Sequence, residues 1–387
     1  MPKLFQNPLY RQAFAASAPG NGPARFHRRL PGYAPTPLWP LPRLARRIGV
    51  ASVQGKFEGQ RFGLPAYKVL GASWATFRVL EERAGGSLPE WESLDGLRAH
   101  LAPLGQLRLI TASDGNHGRA VARVAQMLGY RSRIYLPAGT VPARLEAIAG
   151  EGGEVVVVEG TYDETVARAA AEAGPDDLLI QDHGWPGYEA IPALISDGYS
   201  TLFGEIDQTL TAAGDAGPGL VVVPIGVGTL AAAAVQHYRG GNGKRVELLG
   251  VEPVAAACAL ESAAAGAPVN LDARAGSSIM AGLVCGTPSS AAWPLVSAGF
   301  RHFAAIEDRY AVLAMQALAS EGVRAGESGA AGVGALLALL EGEDANAKRE
   351  QLGLSSRSRV VVLVTEGITD PAAWGRLVGD QSSAMIR

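Results

Sequence analysis

Short runs of Val, Ile and Leu alternate with stretches of helical spacing over most of the chain. Leu107–Thr111, Arg133–Leu136, Glu154–Val158 and Leu178–Gln181 read as strands, and Gly118–Leu128, Pro142–Ala149 and Tyr162–Ala173 between them read as helices. A second series follows. Tyr188–Leu210 is helical, Leu220–Ile225 is a strand leading into an alanine-rich helix, and Glu247–Glu252 is a strand before a helix over Val254–Ala265. Tyr310–Glu321 and Gly332–Leu340 are further helices, and Val360–Val364 is the last strand. Runs that are apolar throughout fit strands buried on both faces. This rhythm predicts an α/β chain with parallel-rich sheets covered by helices.

The first stretch is less regular. Residues 1–35 are punctuated by Asn21-Gly22-Pro23 and Pro31-Gly32 and read as irregular. Leu41–Arg47 reads as a short helix and Val50–Lys56 as a strand. Ser73–Arg83 has helical spacing, with Ser73 placed to cap it. The two alternating series predict two lobes: a smaller α/β lobe over residues 76–187, inserted in a larger one made of residues 1–75 and 188–387. No repeat of solenoid period interrupts them.

Composition narrows the partners. The 387 residues are 48% hydrophobic and 18% charged, ordinary for a globular chain with ample core. A formal net charge of -3 gives no reason to expect nucleic acid or an anionic membrane. No apolar run reaches a membrane span. Residues 1–28 hold no continuous apolar segment of the secretory kind, so the expectation is a cytoplasmic protein. The two cysteines, Cys258 and Cys285, form no metal-site spacing and read as unpaired thiols, with a single disulfide as the alternative. The six histidines form no HExxH motif, and no catalytic metal is expected.

Three stretches carry candidate chemistry. Phe62–Ser73 sets one lysine, Lys68, among apolar and small residues. A buried amine loses its proton more readily and can form a Schiff base with an aldehyde; the same lysine could equally snorkel from a helix start. Gly226-Val227-Gly228-Thr229-Leu230 follows a buried strand and opens a helix, so its N–H groups and the Thr229 hydroxyl suit one phosphate. It lacks the third glycine of a dinucleotide loop and the lysine of a triphosphate loop. The alternative is a tight turn. Thr111–Gly118 also joins a strand to a helix, at the sheet end where open α/β folds bind ligands. There Ser113 suits a substrate carboxylate, Asn116 a phenolate-like oxygen, and Asp114 a base or counter-ion; an Asx turn would use the same residues. His117 reads as a structural hydrogen-bonder.

In their order, Lys68, Ser113–Gly118, the Gly226 loop and Gly326-Glu327-Ser328-Gly329-Ala330 resemble the fold-type II pyridoxal phosphate enzymes, the tryptophan synthase β and threonine dehydratase superfamily. Within it the chain is most similar to the diaminopropionate ammonia-lyase family. The residues behind this are Phe62-Gly63-Leu64 with Ala66, Lys68, Leu70-Gly71 and Ser73; Asp114–Arg119; Gln181-Asp182 with Trp185, Gly187-Tyr188-Glu189 and Ile191-Pro192; and Val364-Thr365-Glu366-Gly367. Pro65, Tyr67, Trp74 and the 182–188 segment depart from the family pattern and bear on the substrate.

The resemblance implies that Lys68 holds pyridoxal 5'-phosphate as a Schiff base. Gly226, Val227, Gly228, Thr229 and Leu230 would cradle its phosphate, Asn116 would contact its phenolic oxygen, and Thr365 would meet its ring nitrogen. Asp114 and Asp182 are implied as acid–base or substrate-binding carboxylates, with a cap as the plain role for Asp182. Glu327 orients the site or starts a helix. The implied reaction is α,β-elimination of ammonia from 2,3-diaminopropionate, giving pyruvate and ammonia, in a homodimer. The alternatives are a serine or threonine dehydratase-like lyase, a non-catalytic pyridoxal phosphate carrier, and a nucleotide-binding oxidoreductase, which the single-phosphate loop disfavours.

Overall fold

The computed structural model describes residues 2–14, 16–17, 20–240, 246–272 and 277–379. Among them eleven strands form two sheets. In chain order these are β1 (Lys3–Gln6), β2 (Leu38–Pro40), β3 (Ser52–Phe57), β4 (Arg108–Ala112), β5 (Arg131–Pro137), β6 (Glu154–Val158), β7 (Asp177–Leu179), β8 (Leu220–Pro224), β9 (Glu247–Pro253), β10 (His302–Ile306) and β11 (Arg359–Val364). The larger sheet runs β1-β10-β9-β8-β11-β3-β2, and the smaller runs β6-β5-β4-β7. All pairings in the smaller sheet are parallel, and in the larger only the edge strands β1 and β2 are antiparallel. The alternating apolar pattern is thus realised as parallel sheets, with all of β8 and β10 buried.

The first 35 residues are more ordered than the sequence pattern predicts. β1 pairs Lys3–Gln6 with His302–Ala305, and Gly22–His27 is a helix. Four residues carry too little periodicity to read as a strand, and the pairing comes from a partner about 300 residues away. β10 and the helix over Leu94–Leu101 were equally absent from the pattern.

The helix carrying the candidate lysine begins at Lys68 and runs to Arg83. Ser73 therefore lies inside the helix and does not cap it; its Oγ donates to Leu70 O at 3.4 Å. The helix crosses the Ala190–Ala212 helix where Gly71 meets Gly198. A Cβ on Gly198 would lie 2.6 Å from Leu70 O and one on Gly71 2.6 Å from Tyr199, so only glycine permits this approach.

The loop before Lys68 is held on both sides. Phe62 has φ +53°, the one positive φ outside glycine among the described residues, a conformation that costs energy and needs support. Below it lies a buried ion-pair network. Lys56 Nζ donates to Glu205 Oε2 at 2.6 Å, and Arg61 reaches both Glu205 oxygens at 2.7 Å and Glu58 at 2.7–2.8 Å. Two cations thus face two carboxylates, the arrangement buried charge requires. Above, Gly367 N donates to Pro65 O at 2.8 Å and clips the loop to the end of β11.

Candidate active site

The Lys68 helix start, the β4 and β8 loops and the end of β11 surround one cleft that opens to solvent. Lys68, Asp114, Asn116, Asp182, Gly226 to Leu230 and Thr365 all line it. These residues are far apart in sequence and meet because parallel strands deliver their C-terminal loops to the same edge.

Lys68 Nζ donates to Asp182 Oδ2 at 2.6 Å, with the lysine side chain 17% exposed and the aspartate 4%. Burial alone would lower the Lys68 pKa, as its sequence setting suggested. The Asp182 carboxylate, with Tyr67, Tyr199 and Asp114 adding to it, reverses this and holds the amine protonated, well above its ordinary range. Burial likewise opposes the charge on Asp182, and the facing His117 ring and Lys68 ammonium overcome it, keeping the carboxyl below the usual carboxylate range. Burial lowers His117 as well, so its imidazole is neutral near neutral pH and the ammonium carries the balance. His117 Nε2 meets Ile180 O at 2.7 Å, as a structural hydrogen-bonder would.

The Gly226–Leu230 loop opens the helix Thr229–Arg239, with Gly228 at its N-cap and φ +98°. The left-handed glycine turns the following N–H groups toward the cleft, where the helix N-terminus favours an anion. The Thr229 hydroxyl is committed elsewhere: it donates to Asp182 O at 2.6 Å. It ties the loop to Asp182.

In the β4 loop the helix starts at Asn116. Ser113 is buried beneath the loop, where its Oγ accepts from Gly115 N at 2.9 Å and Gly118 N at 2.8 Å. It shapes the turn and is not among the cleft-lining residues. Asp114 faces the cleft while its carbonyl accepts from Arg144 Nη1 at 2.9 Å. Asn116 Nδ2 donates to Glu366 Oε2 at 2.5 Å.

Sequence reading missed Tyr162, Ser328 and Gly282 as lining residues. The Tyr162 hydroxyl is 3.4 Å from Asp182 Oδ1 and accepts from Gln181 Nε2 at 3.0 Å. Nothing in its helix-start sequence separates it from a core tyrosine. Glu327 is the first residue of the Glu327–Leu340 helix and faces a neighbouring cavity that shares Asp114 and Tyr162 with the cleft. Cys258 and Cys285 are both buried and free.

The donor set suits a phosphorylated aldehyde: an amine at one end, a helix N-terminus at the other, and an amide and a hydroxyl, Asn116 and Thr365, between them. Comparison with known proteins agrees. The chain is 33% identical to the diaminopropionate ammonia-lyase of Escherichia coli K12 over 389 residues, 98% of this chain and 94% of that one. It is 32% identical to the Salmonella typhimurium LT2 diaminopropionate ammonia-lyase over 373 residues, 93% and 91% of the two chains. The crystal structure of the E. coli diaminopropionate ammonia lyase in complex with D-serine matches with a TM-score of 0.90 at 31% identity, over 98% of this chain and 97% of that one. A sequence model of the family described as "Pyridoxal-phosphate dependent enzyme" matches residues 29–366. With a lysine, a phosphate-sized loop and that match across most of its length, the chain belongs to the pyridoxal-phosphate dependent enzymes.

Proposed function

We propose that the chain eliminates ammonia from 2,3-diaminopropionate, consuming one water and releasing pyruvate and two ammonia. The observation that carries this reading is that two carboxylates, Asp114 and Asp182, line the cleft that holds Lys68. Asp182 is already paired with Lys68; Asp114, half-buried and facing the cleft, is the carboxylate that suits a further cation, and the β-amine of this substrate supplies one.

Pyridoxal phosphate, when bound, supplies an aldehyde that condenses with amines and a ring that withdraws the electron pair left by a departing α-proton. The residues of the chain do the rest. Lys68 Nζ is the amine that holds the aldehyde, and it must first give up its proton. Asp182, 2.6 Å away, holds the ammonium in position for that step. The N–H groups from Gly226 to Leu230 hold the phosphate, Asn116 donates to the phenolic oxygen, and Thr365 offers a neutral hydroxyl to the ring nitrogen. Such a hydroxyl holds no full charge on the nitrogen, which favours elimination over transamination. Asp114 serves as a second base or as the counter-ion of the β-ammonium. Ser113 keeps the β4 loop in shape for the substrate carboxylate.

We further propose a cytoplasmic homodimer acting on a small amino acid, with no nucleic-acid or membrane partner, and lobes at 1–75 plus 188–387 and at 76–187. Light scattering of the purified protein tests the dimer. Pyruvate and ammonia release from L- and D-2,3-diaminopropionate, serine and threonine tests the function. Preference for either diaminopropionate supports it, and preference for serine or threonine replaces it with a dehydratase.

A further inference from the structure

We propose that Glu366 is a positioning residue that sets the orientation of the Asn116 amide and, through it, the charge state of the cofactor's phenolic oxygen. The proposal rests on the assignment of Asn116 to that oxygen.

Glu366 follows β11, is 1% exposed, and lines the cleft. Its Oε2 accepts from Asn116 Nδ2 at 2.5 Å and its Oε1 from Ser328 N at 3.0 Å. Both Glu366 oxygens accept, so the amide turns its NH2 end toward them. That amide nitrogen carries a second N–H, and Asn116 itself lines the cleft. An N–H donor favours an anionic oxygen beside it, whereas a carbonyl would favour a protonated one. The network continues through Ser328, whose Oγ accepts from Gly282 N at 3.0 Å, so one carboxylate braces several cleft residues. Asn116 comes from the side of the smaller sheet and Glu366 from the larger. The competing role is structural: through Ser328 N, Glu366 also satisfies the N-terminus of the Glu327–Leu340 helix.

A double-mutant cycle separates the two roles. Glu366→Gln keeps the side-chain shape, but an amide cannot accept at both ends. In the loaded protein the pH midpoint between the cofactor's two visible absorbance bands should move by about one unit, and cofactor affinity of the apoprotein should fall roughly tenfold, the change one hydrogen bond to a charged group carries. Asn116→Ala should produce changes of the same size. In the Asn116→Ala background, Glu366→Gln should then add less than about twofold, because it acts through the missing amide. Full additivity, or an unmoved midpoint in Glu366→Gln, overturns the role of Glu366. No effect of Asn116→Ala overturns the assignment of Asn116 itself. If Glu366→Gln does not fold, Asn116→Asp reads the contact from the other partner. It replaces the donor facing Glu366 with a second acceptor, so cofactor affinity should fall roughly tenfold; unchanged affinity overturns the proposal.

Discussion

Lys68 Nζ and Asp182 Oδ2 lie 2.6 Å apart, joining the start of a helix to the loop after β7 across 114 residues of chain. In the absence of an aldehyde, the amine is therefore a paired ammonium. The other buried lysine, Lys56, is fully enclosed and occupied by Glu205, so borohydride reduction of the loaded protein should label Lys68 and not Lys56. Asp182→Asn leaves the ammonium without its counter-charge. It should cost the apoprotein roughly 1–3 kcal/mol, below the cost for a fully sealed pair because Lys68 reaches the cleft. The signs set the pH window. Asp182 is depressed, so its contribution is present above about pH 4 and lost as pH falls through its folded pKa. Lys68 is raised, so its contribution is present below about pH 10 and lost as pH rises through its folded pKa. The stability gap between wild type and Asp182→Asn, followed by thermal melts, should therefore be flat from about pH 5 to 9.

Gly228 tests the anion cradle. At φ +98° a side chain is strained there, although a Cβ would meet Ala292 and Val296 at no less than 3.4 Å. Gly228→Asp should therefore cost about 1–2 kcal/mol of fold stability as well as cofactor affinity. Gly228→Asn shares the backbone cost, since both side chains tolerate the left-handed region, but lacks the charge. Equilibrium dialysis of pyridoxal phosphate against both should show weaker binding to Gly228→Asp. Equal affinity would make the Gly226 loop a turn and nothing more.

The two enantiomers of the substrate test Asp114. The α-proton must leave perpendicular to the ring, and with the carboxylate anchored the D- and L-isomers present it on opposite faces. If Lys68 serves the L-isomer and Asp114 the D-isomer, Asp114→Asn should slow D-2,3-diaminopropionate by about 10²–10⁴-fold, the usual worth of a general base, and spare the L-isomer. Equal losses on both isomers would assign Asp114 to the substrate's β-ammonium.

Glu205 anchors the network under the Lys68 loop. Burial works against its charge, but Arg61 and Lys56 hold its pKa down to about 2. Glu205→Gln leaves two cations facing Glu58 alone and should cost about 3–5 kcal/mol in a urea melt near neutral pH. Because the folded pKa is depressed, the contribution of Glu205 is present above about pH 4.3 and fades as pH falls toward 2. The gap between wild type and Glu205→Gln should narrow only over that acid range.

What the sequence by itself determined is local. Val221-Val222-Val223 and Val360-Val361-Val362 announce buried strands, and Gly226–Thr229 announces a strand-to-helix turn, because backbone preference and apolar run length are properties of near neighbours. Lys68, Asp114, Asn116, Asp182, the Gly226 loop and Thr365 were legible from their local sequence, each lying after a strand and no later than the first turn of the next helix, whereas Tyr162, Ser328 and Gly282 were not. The tertiary structure decided how those residues are used. The Lys68 helix lies tight against its neighbour because Gly71 and Gly198 let the two helices touch. Thr229 spends its hydroxyl on a backbone carbonyl that only the fold brings near, whereas Ser113 accepts from two N–H groups of its own turn. Lys68 keeps its proton because Asp182 arrives from another sheet edge, and a carboxylate at hydrogen-bond distance outweighs the burial that its neighbours in sequence suggested. A charge responds to what surrounds it in space, and for Lys68 the decisive neighbour is 114 positions away.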